Sequence, residues 1–304
     1  MGADMVKLRC EDKEEGVSMK EAVLYEKLDD GKVRCNVCTH RCVIRDKARG
    51  LCRVRENRDG TLYALNYGKT AARGIDPIEK KPLYEFIPRT LSYSFSTVGC
   101  NMRCPWCQNH ALAFAEEVRG YDITPETHVK TALAHGCESI AYTYSEPTIF
   151  IEYALDTMRE AHLHGLKNVF VTNGTMTPEA LDLILPYLDA VNVDVKAHDD
   201  DTYRRFCGTG IEQVYDTIRR MKAAGVHTEV TTLVIPGVND SEKALTVIVK
   251  DIIDAAGTDV VWHISRFFPA YRMKDKLPTD IKTLEKARDI GREHGIRSIY
   301  LGNV

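Results

Sequence analysis

From Leu91 onward, short apolar runs alternate with amphipathic stretches. The runs LSYSFSTVG, SIAYTYS, NVFVTNG, AVNVDVK, TEVTTLVIPG, VVWHISRFF and SIYLGN are strand-sized and bounded by turn residues, as strands buried on both faces are. Between them, TPETHVKTALAHG, PTIFIEYALDTMREAHLHG, TPEALDLILPYL and SEKALTVIVKDIIDAAG read as amphipathic helices, several ending at glycine, as helix C-termini commonly do. A repeating β-α order implies a parallel sheet with helical crossovers. Six or seven such units fall short of a full eight-stranded barrel. The expected fold is therefore α/β, a partial (β/α)6 TIM-like barrel over residues 91–304. Such folds place their chemistry at the C-terminal ends of the strands.

Residues 1–90 show no sustained periodicity and read as a small, irregular, cysteine-rich N-terminal region. One local element stands out there. Asp59-Gly60 lies between CRVREN and the alternating TLYALNY, which predicts a short hairpin.

Charge narrows the function classes. The 304 residues carry a formal net charge of -3 with both signs interspersed, which argues against an electrostatic nucleic-acid binder and against a basic membrane-surface helix. No stretch approaches the roughly 18–20 apolar residues of a membrane span. The opening MGADMVKLRCEDKEEG is too charged for a signal peptide, so the expected location is the cytoplasm.

Ten cysteines in a chain without an export signal read as metal or redox groups rather than as a disulfide framework. Seven are clustered, Cys35, Cys38, Cys42 and Cys52 in one group and Cys100, Cys104 and Cys107 in the other. Cys10, Cys137 and Cys207 are scattered and read as small buried hydrophobes or bystander thiols. The second group, GCNMRCPWCQN, directly follows the first predicted strand of the barrel, at its active end. Three thiolates suit an iron-sulfur cluster with one iron left open, whereas a closed zinc site needs a fourth ligand such as His110 or a distant cysteine.

CNMRCPWC resembles the C-x3-C-x2-C signature of the radical S-adenosylmethionine superfamily. The motifs CNVCTHRCVIRDKARGLCRVREN, DPIEKKPLYEF, YTYSEPTIF, TNGTMTPEAL, VNVDVKAHDDDTYR, LVIPGVNDS, HISRFFPAY and YLGNV extend the resemblance across nearly the whole chain. They are similar to the radical enzymes of the AmmeMemoRadiSam group, relatives of pyruvate formate-lyase activating enzyme. The resemblance implies that Cys100, Cys104 and Cys107 hold a 4Fe-4S cluster and that S-adenosyl-L-methionine binds the open iron. Reduction would then give methionine and a 5'-deoxyadenosyl radical that abstracts hydrogen, making the chain an activating-enzyme-like oxidoreductase. Trp106 matches the aromatic residue before the third cysteine. Gln108, Ser145, Glu146, Asn173, Asp194, Lys196 and His263 are the remaining residues expected to bind the cofactor. Tyr144 and Ser145 stand where the family has glycines before the glutamate. Members commonly continue past the last motif into a cysteine-containing tail, which this sequence, ending at Val304, either lacks or has lost.

The remaining expectations concern partners and the first cysteine group. An electron donor of the reduced ferredoxin or flavodoxin type is implied, and the substrate could be a glycine in a partner protein. Tyr144, Arg266, Tyr271 and Arg272 are candidates to line its entrance. Cys35-x2-Cys38-x3-Cys42-x9-Cys52 supplies a complete ligand set for zinc or for a second iron-sulfur cluster, and His40 could replace one cysteine. Zinc is the preferred reading, because short irregular segments often need a metal to fold. The competing function is a zinc-stabilised, non-catalytic scaffold or binding protein, which would be colourless and would leave S-adenosylmethionine intact.

Overall fold

A computed structural model describes residues 19–304, so Cys10 and the charged N-terminal stretch lie outside the described residues. Two compact units are present, one of residues 19–101, 109–171 and 176–190, the other of 102–108, 172–175 and 191–304. The N-terminal region thus belongs to the same unit as the first half of the α/β array.

In the first unit, the N-terminal region forms strands β1 (Lys20–Glu21), β2 (Tyr25–Lys27), β3 (Val33–Cys35), β4 (Val43–Ile44), β5 (Arg55–Arg58), β6 (Thr61–Ala64) and β7 (Lys69–Thr70). Six of them build two three-stranded sheets, β1-β6-β5 and β2-β3-β4. The predicted hairpin is β5-β6, with Arg58 paired to Thr61. Asp59 and Gly60 both have positive φ, 52° and 78°, as a type I′ turn requires.

The same unit contains β8 (Ala72–Pro77), β9 (Leu91–Ser96), β10 (Tyr121–Asp122), β11 (Ser139–Tyr142) and β12 (Lys167–Thr172). The order is β12-β11-β9-β8. β9, β11 and β12 are parallel, and β8 closes the series antiparallel to β9. The helices are α1 (His110–Ala113), α2 (Pro125–Ala134), α3 (Ile151–Leu163) and α4 (Pro178–Ile184). Thr124 and Thr177 cap α2 and α4 with side-chain oxygens that accept backbone N–H groups, each followed by proline at the first helical position. The segment after β8 packs inward, where Ile78 and Leu83 meet Ala141, Val169 and Ala190.

The second unit continues the β-α order with β13 (Ala190–Asp194), α5 (Asp200–Phe206), α6 (Glu212–Ala223), β14 (His227–Val234), α7 (Glu242–Ala256), β15 (Val261–Arg266), α8 (Ile281–Glu293) and β16 (Ser298–Gly302). Its strands lie in the order β16-β15-β14-β13, with β14, β15 and β16 parallel. All seven predicted strands are present. The fold is the expected α/β partial barrel with a small cysteine-bearing β region before it. Among the described residues, no helix is long and apolar enough to cross a membrane.

Beneath α2 and α3, the alternation of β9 sends Tyr93 and Phe95 to one face and Ser92, Ser94 and Ser96 to the other. His128 stacks on Phe95 at 3.8 Å between ring centroids. Its Nδ1 lies 2.9 Å from the Tyr93 hydroxyl and its Nε2 2.7 Å from the Tyr153 hydroxyl. Burial, aided by the Arg73 charge, pushes this imidazole down to about 3. The folded chain therefore keeps His128 neutral, whereas the unfolded chain takes up a proton below the ordinary histidine value of about 6.5. Stability is expected to fall as pH drops from about 6.5 toward 3, by up to about 1.4 kcal/mol per pH unit from this group. Denaturant midpoints between pH 7 and pH 4.5 should show a shallower loss in His128→Phe than in the parent chain. Equal slopes would refute the assignment.

Candidate functional site

The chain leaves β9 through Gly99, whose φ of 105° favours glycine. A Cβ at Gly99 would lie 2.8 Å from a Val54 methyl and 3.0 Å from the Cys52 carbonyl oxygen. The backbone is thereby pressed against the N-terminal region just before Cys100, which is half-buried.

Cys104 and Cys107 belong to the second unit. A turn joins them, the Cys107 N–H donating to the Cys104 carbonyl at 3.2 Å. Trp106 is buried and packs on Phe206, with ring centroids 5.7 Å apart. Gln108 donates through Nε2 to the Phe268 carbonyl at 3.1 Å, so its amide ties down the loop after β15. Cys207, read from sequence as a bystander, follows α5 and lies beside the loop. Its carbonyl accepts from the Arg103 N–H at 3.1 Å, and its Sγ is 3.6 Å from that of Cys104. No spacing rule links thiols so far apart in sequence.

The other expected residues of the second unit occur at or near strand ends. Asn173 Oδ1 accepts from the Thr175 N–H and hydroxyl at 3.2 and 2.7 Å, forming the turn after β12. Asp194 ends β13, and Lys196 Nζ lies 2.8 Å from its carboxylate. Burial is the largest influence on Lys196 and opposes its charge, but Asp194 and further neighbours together hold the ammonium well above its ordinary range. The Cys104 thiol adds to this pull, so Cys104, Asp194 and Lys196 share one neighbourhood. His263 lies three residues before the end of β15, buried, with Nε2 2.5 Å from the Glu229 carboxylate. Its register partner on β14 is Thr231, whose hydroxyl is buried without a hydrogen-bond partner among the described residues.

In the first unit, YTYSEP forms the turn after β11. Ser145 Oγ donates to the Thr97 carbonyl at 2.8 Å. Glu146 is buried and caps the following turn, its Oε1 accepting from the Thr148 N–H at 3.0 Å and the Thr148 hydroxyl at 2.6 Å. Tyr144 has φ of 61°, a left-handed conformation that is costly for a bulky residue. The turn thus keeps a glycine-type backbone without the glycine. Asn109 Nδ2 donates to the Tyr144 carbonyl at 2.8 Å, and Lys81 Nζ stands 5.6 Å from the Tyr144 ring centroid. Among the other entrance candidates, Arg266 Nε donates to the Thr279 carbonyl at 2.8 Å, while Arg272 is exposed over the Tyr271 ring. Cys35, Cys38, Cys42 and Cys52 line a single pocket.

The profile of the radical SAM superfamily matches residues 94–247. The uncharacterized protein MJ0808 of Methanocaldococcus jannaschii is 43% identical over 94% of this chain and 86% of its own length. The pyruvate formate-lyase-activating enzyme of Clostridium pasteurianum is 24% identical over 51% of this chain and 67% of its own. Among solved structures, a radical SAM methyltransferase from Sphaerobacter thermophilus is similar in fold, with a TM-score of 0.57 at 14% identity over 94% of this chain and 78% of that one.

Proposed function

The chain belongs to the radical SAM superfamily, and from that premise we propose that it cleaves S-adenosylmethionine reductively and abstracts hydrogen from a glycine in a partner protein. The observation that carries the reading is the three-cysteine loop after β9, accompanied by polar residues at successive strand ends. Soft thiol donors suit iron-sulfur ligation, and three of them leave a coordination position for the cofactor. The buried Thr231 hydroxyl, without a partner among the described residues, fits a polar ligand on that face of the sheet. The cluster that Cys100, Cys104 and Cys107 would hold would supply one-electron reduction of the cofactor sulfonium, the electron coming from an external reductant.

The chain's own residues bind and orient. Cys100, Cys104 and Cys107 hold the cluster, and Trp106 wedges the loop against Phe206. Asp194 and Lys196 present paired charges beside Cys104. Gln108, Ser145, Glu146, Asn173 and His263 shape the turns and strand surfaces around the cofactor. Glu146 and His263 also anchor the fold, through Thr148 and Glu229 respectively.

The activating-type substrate rests on the motifs shared with the AmmeMemoRadiSam group and on similarity to a pyruvate formate-lyase-activating enzyme. Expressing the protein fraction of a native host with Cα-deuterated glycine and supplying it to the reduced enzyme tests this directly. Mass spectrometry should find deuterium in the 5'-deoxyadenosine. Unlabelled 5'-deoxyadenosine in undiminished yield would overturn the glycine substrate and leave the cleavage reaction standing.

A further inference from the structure

Helix α5 ends on a thiol that the cysteine motif does not contain. Gly208 stops the helix with φ of 82°, its N–H donating to the Tyr203 and Arg204 carbonyls at 3.1 and 3.2 Å. A Cβ there would sit 2.6 Å from Arg103 Nε, so glycine lets this helix end close onto the loop. Tyr203 and Cys207 are four residues apart and share one helical face. The Tyr203 hydroxyl donates to the Asp194 carbonyl at 3.3 Å and accepts from the Lys196 N–H at 2.9 Å. On the loop side, the Arg103 N–H donates to the Cys207 carbonyl at 3.1 Å, and Phe206 packs on Trp106. Contacts to β13 and to the loop therefore fix where the Cys207 sulfur lies.

In the metal-free chain the Cys104 thiol donates to the Cys207 sulfur at 3.6 Å. Ligation reverses that bond. An iron ligand is a thiolate, so Cys104 then has no hydrogen to give, and of the two only Cys207 keeps one. Cys207 is 0% exposed, so water does not compete for its hydrogen. Nor does the spacing suit a further cluster ligand. Sulfurs roughly 3.8 Å apart are what a single tetrahedral zinc gathers with bonds of about 2.3 Å, whereas a four-iron cluster spreads its cysteines one to an iron.

We propose that Cys207 is a positioning residue for the radical cluster, its S–H donating to the Cys104 sulfur and raising the potential at which the cluster is reduced. The inference rests on the assignment of that cluster to Cys100, Cys104 and Cys107. Reduction puts more negative charge on the ligand sulfurs, and a hydrogen bond to a charged acceptor is stronger than one to a neutral acceptor. The donor thus favours the reduced state, as hydrogen bonds to cluster sulfurs do.

The test compares the full chain with Cys207→Ala and Cys207→Ser, each reconstituted anaerobically with iron and sulfide. Metal content is measured, and the paramagnetic resonance signal that S-adenosylmethionine alters is followed against solution potential. At a fixed potential, the ratio of reduced to oxidised cluster should fall about three- to tenfold in Cys207→Ala, a shift of about 30–60 mV to more negative values for one electron. Iron content should be unchanged. Cys207→Ser keeps a donor and should stay closer to the parent. An unmoved potential in an iron-loaded Cys207→Ala overturns the proposal and leaves the cleavage function standing. Loss of iron from a folded Cys207→Ala also overturns it, by making Cys207 a ligand. A parent chain that takes up zinc and no iron overturns both. If Cys207→Ala does not fold, infrared difference spectra of the parent decide. An S–H stretch that moves to lower frequency on reduction supports the bond, and S–H bands indifferent to reduction contradict it.

Discussion

Replacing Cys104 with alanine is expected to reduce 5'-deoxyadenosine formation to background while leaving the fold intact. Cys104 is one of only three thiols on the loop after β9, and losing it leaves two, too few to hold a cluster with one open iron. Its side chain is small, so its removal from an interior position deletes little apolar area. Far-UV circular dichroism should match that of the parent apoprotein, while cofactor cleavage, followed by chromatography of 5'-deoxyadenosine, should vanish. Cys207→Ala is the informative control. Its sulfur is 3.6 Å from that of Cys104 but lies off the motif, so that variant should retain the radical cluster's iron and measurable cleavage. Full cleavage by Cys104→Ala would remove the loop from the chemistry.

The largest stability effect should come from Glu152→Ala. Arg55 and Glu152 are 2% and 0% exposed at their side chains and form a two-pronged ion pair. Glu152 Oε1 also accepts from the Val23 N–H at 3.1 Å, so one carboxylate of α3 holds both β5 and the chain after β1. Removing it leaves a guanidinium buried beside neutral surroundings, which costs about 3–5 kcal/mol. Chemical denaturation of the metal-free protein should show a loss of that size. Replacing both partners, as Arg55→Met with Glu152→Leu, should recover most of it. A loss below about 1 kcal/mol in Glu152→Ala would mean that the pair is solvated and that α3 does not depend on it.

How far the sequence revealed this molecule depended on element length. The seven barrel strands were legible because each is a continuous buried run ending in turn residues, and amphipathic stretches, several ending at glycine, marked the helices between them. The N-terminal strands span only two to four residues, too short for a period-two pattern to emerge. Only the β5-β6 hairpin announced itself, through Asp59-Gly60. The cysteine groupings were plain from spacing, but the burial of Arg55 against the first group was not, because spacing along a chain does not report which distant side chains pack beside it. Tyr144 shows another limit. Its left-handed backbone preserves the turn's shape where the residue type argues against it, and only φ reveals this. The Cys207–Cys104 approach and the His263–Glu229 contact join residues brought together by packing alone, which no local pattern encodes.

The most direct test of the central claim is cofactor turnover. The protein is reconstituted with iron and sulfide under anaerobic conditions, then incubated with S-adenosylmethionine and dithionite. Methionine and 5'-deoxyadenosine should appear in equal amounts, and neither should form in Cys104→Ala. A fully iron-loaded, reduced protein that leaves S-adenosylmethionine intact would contradict the account.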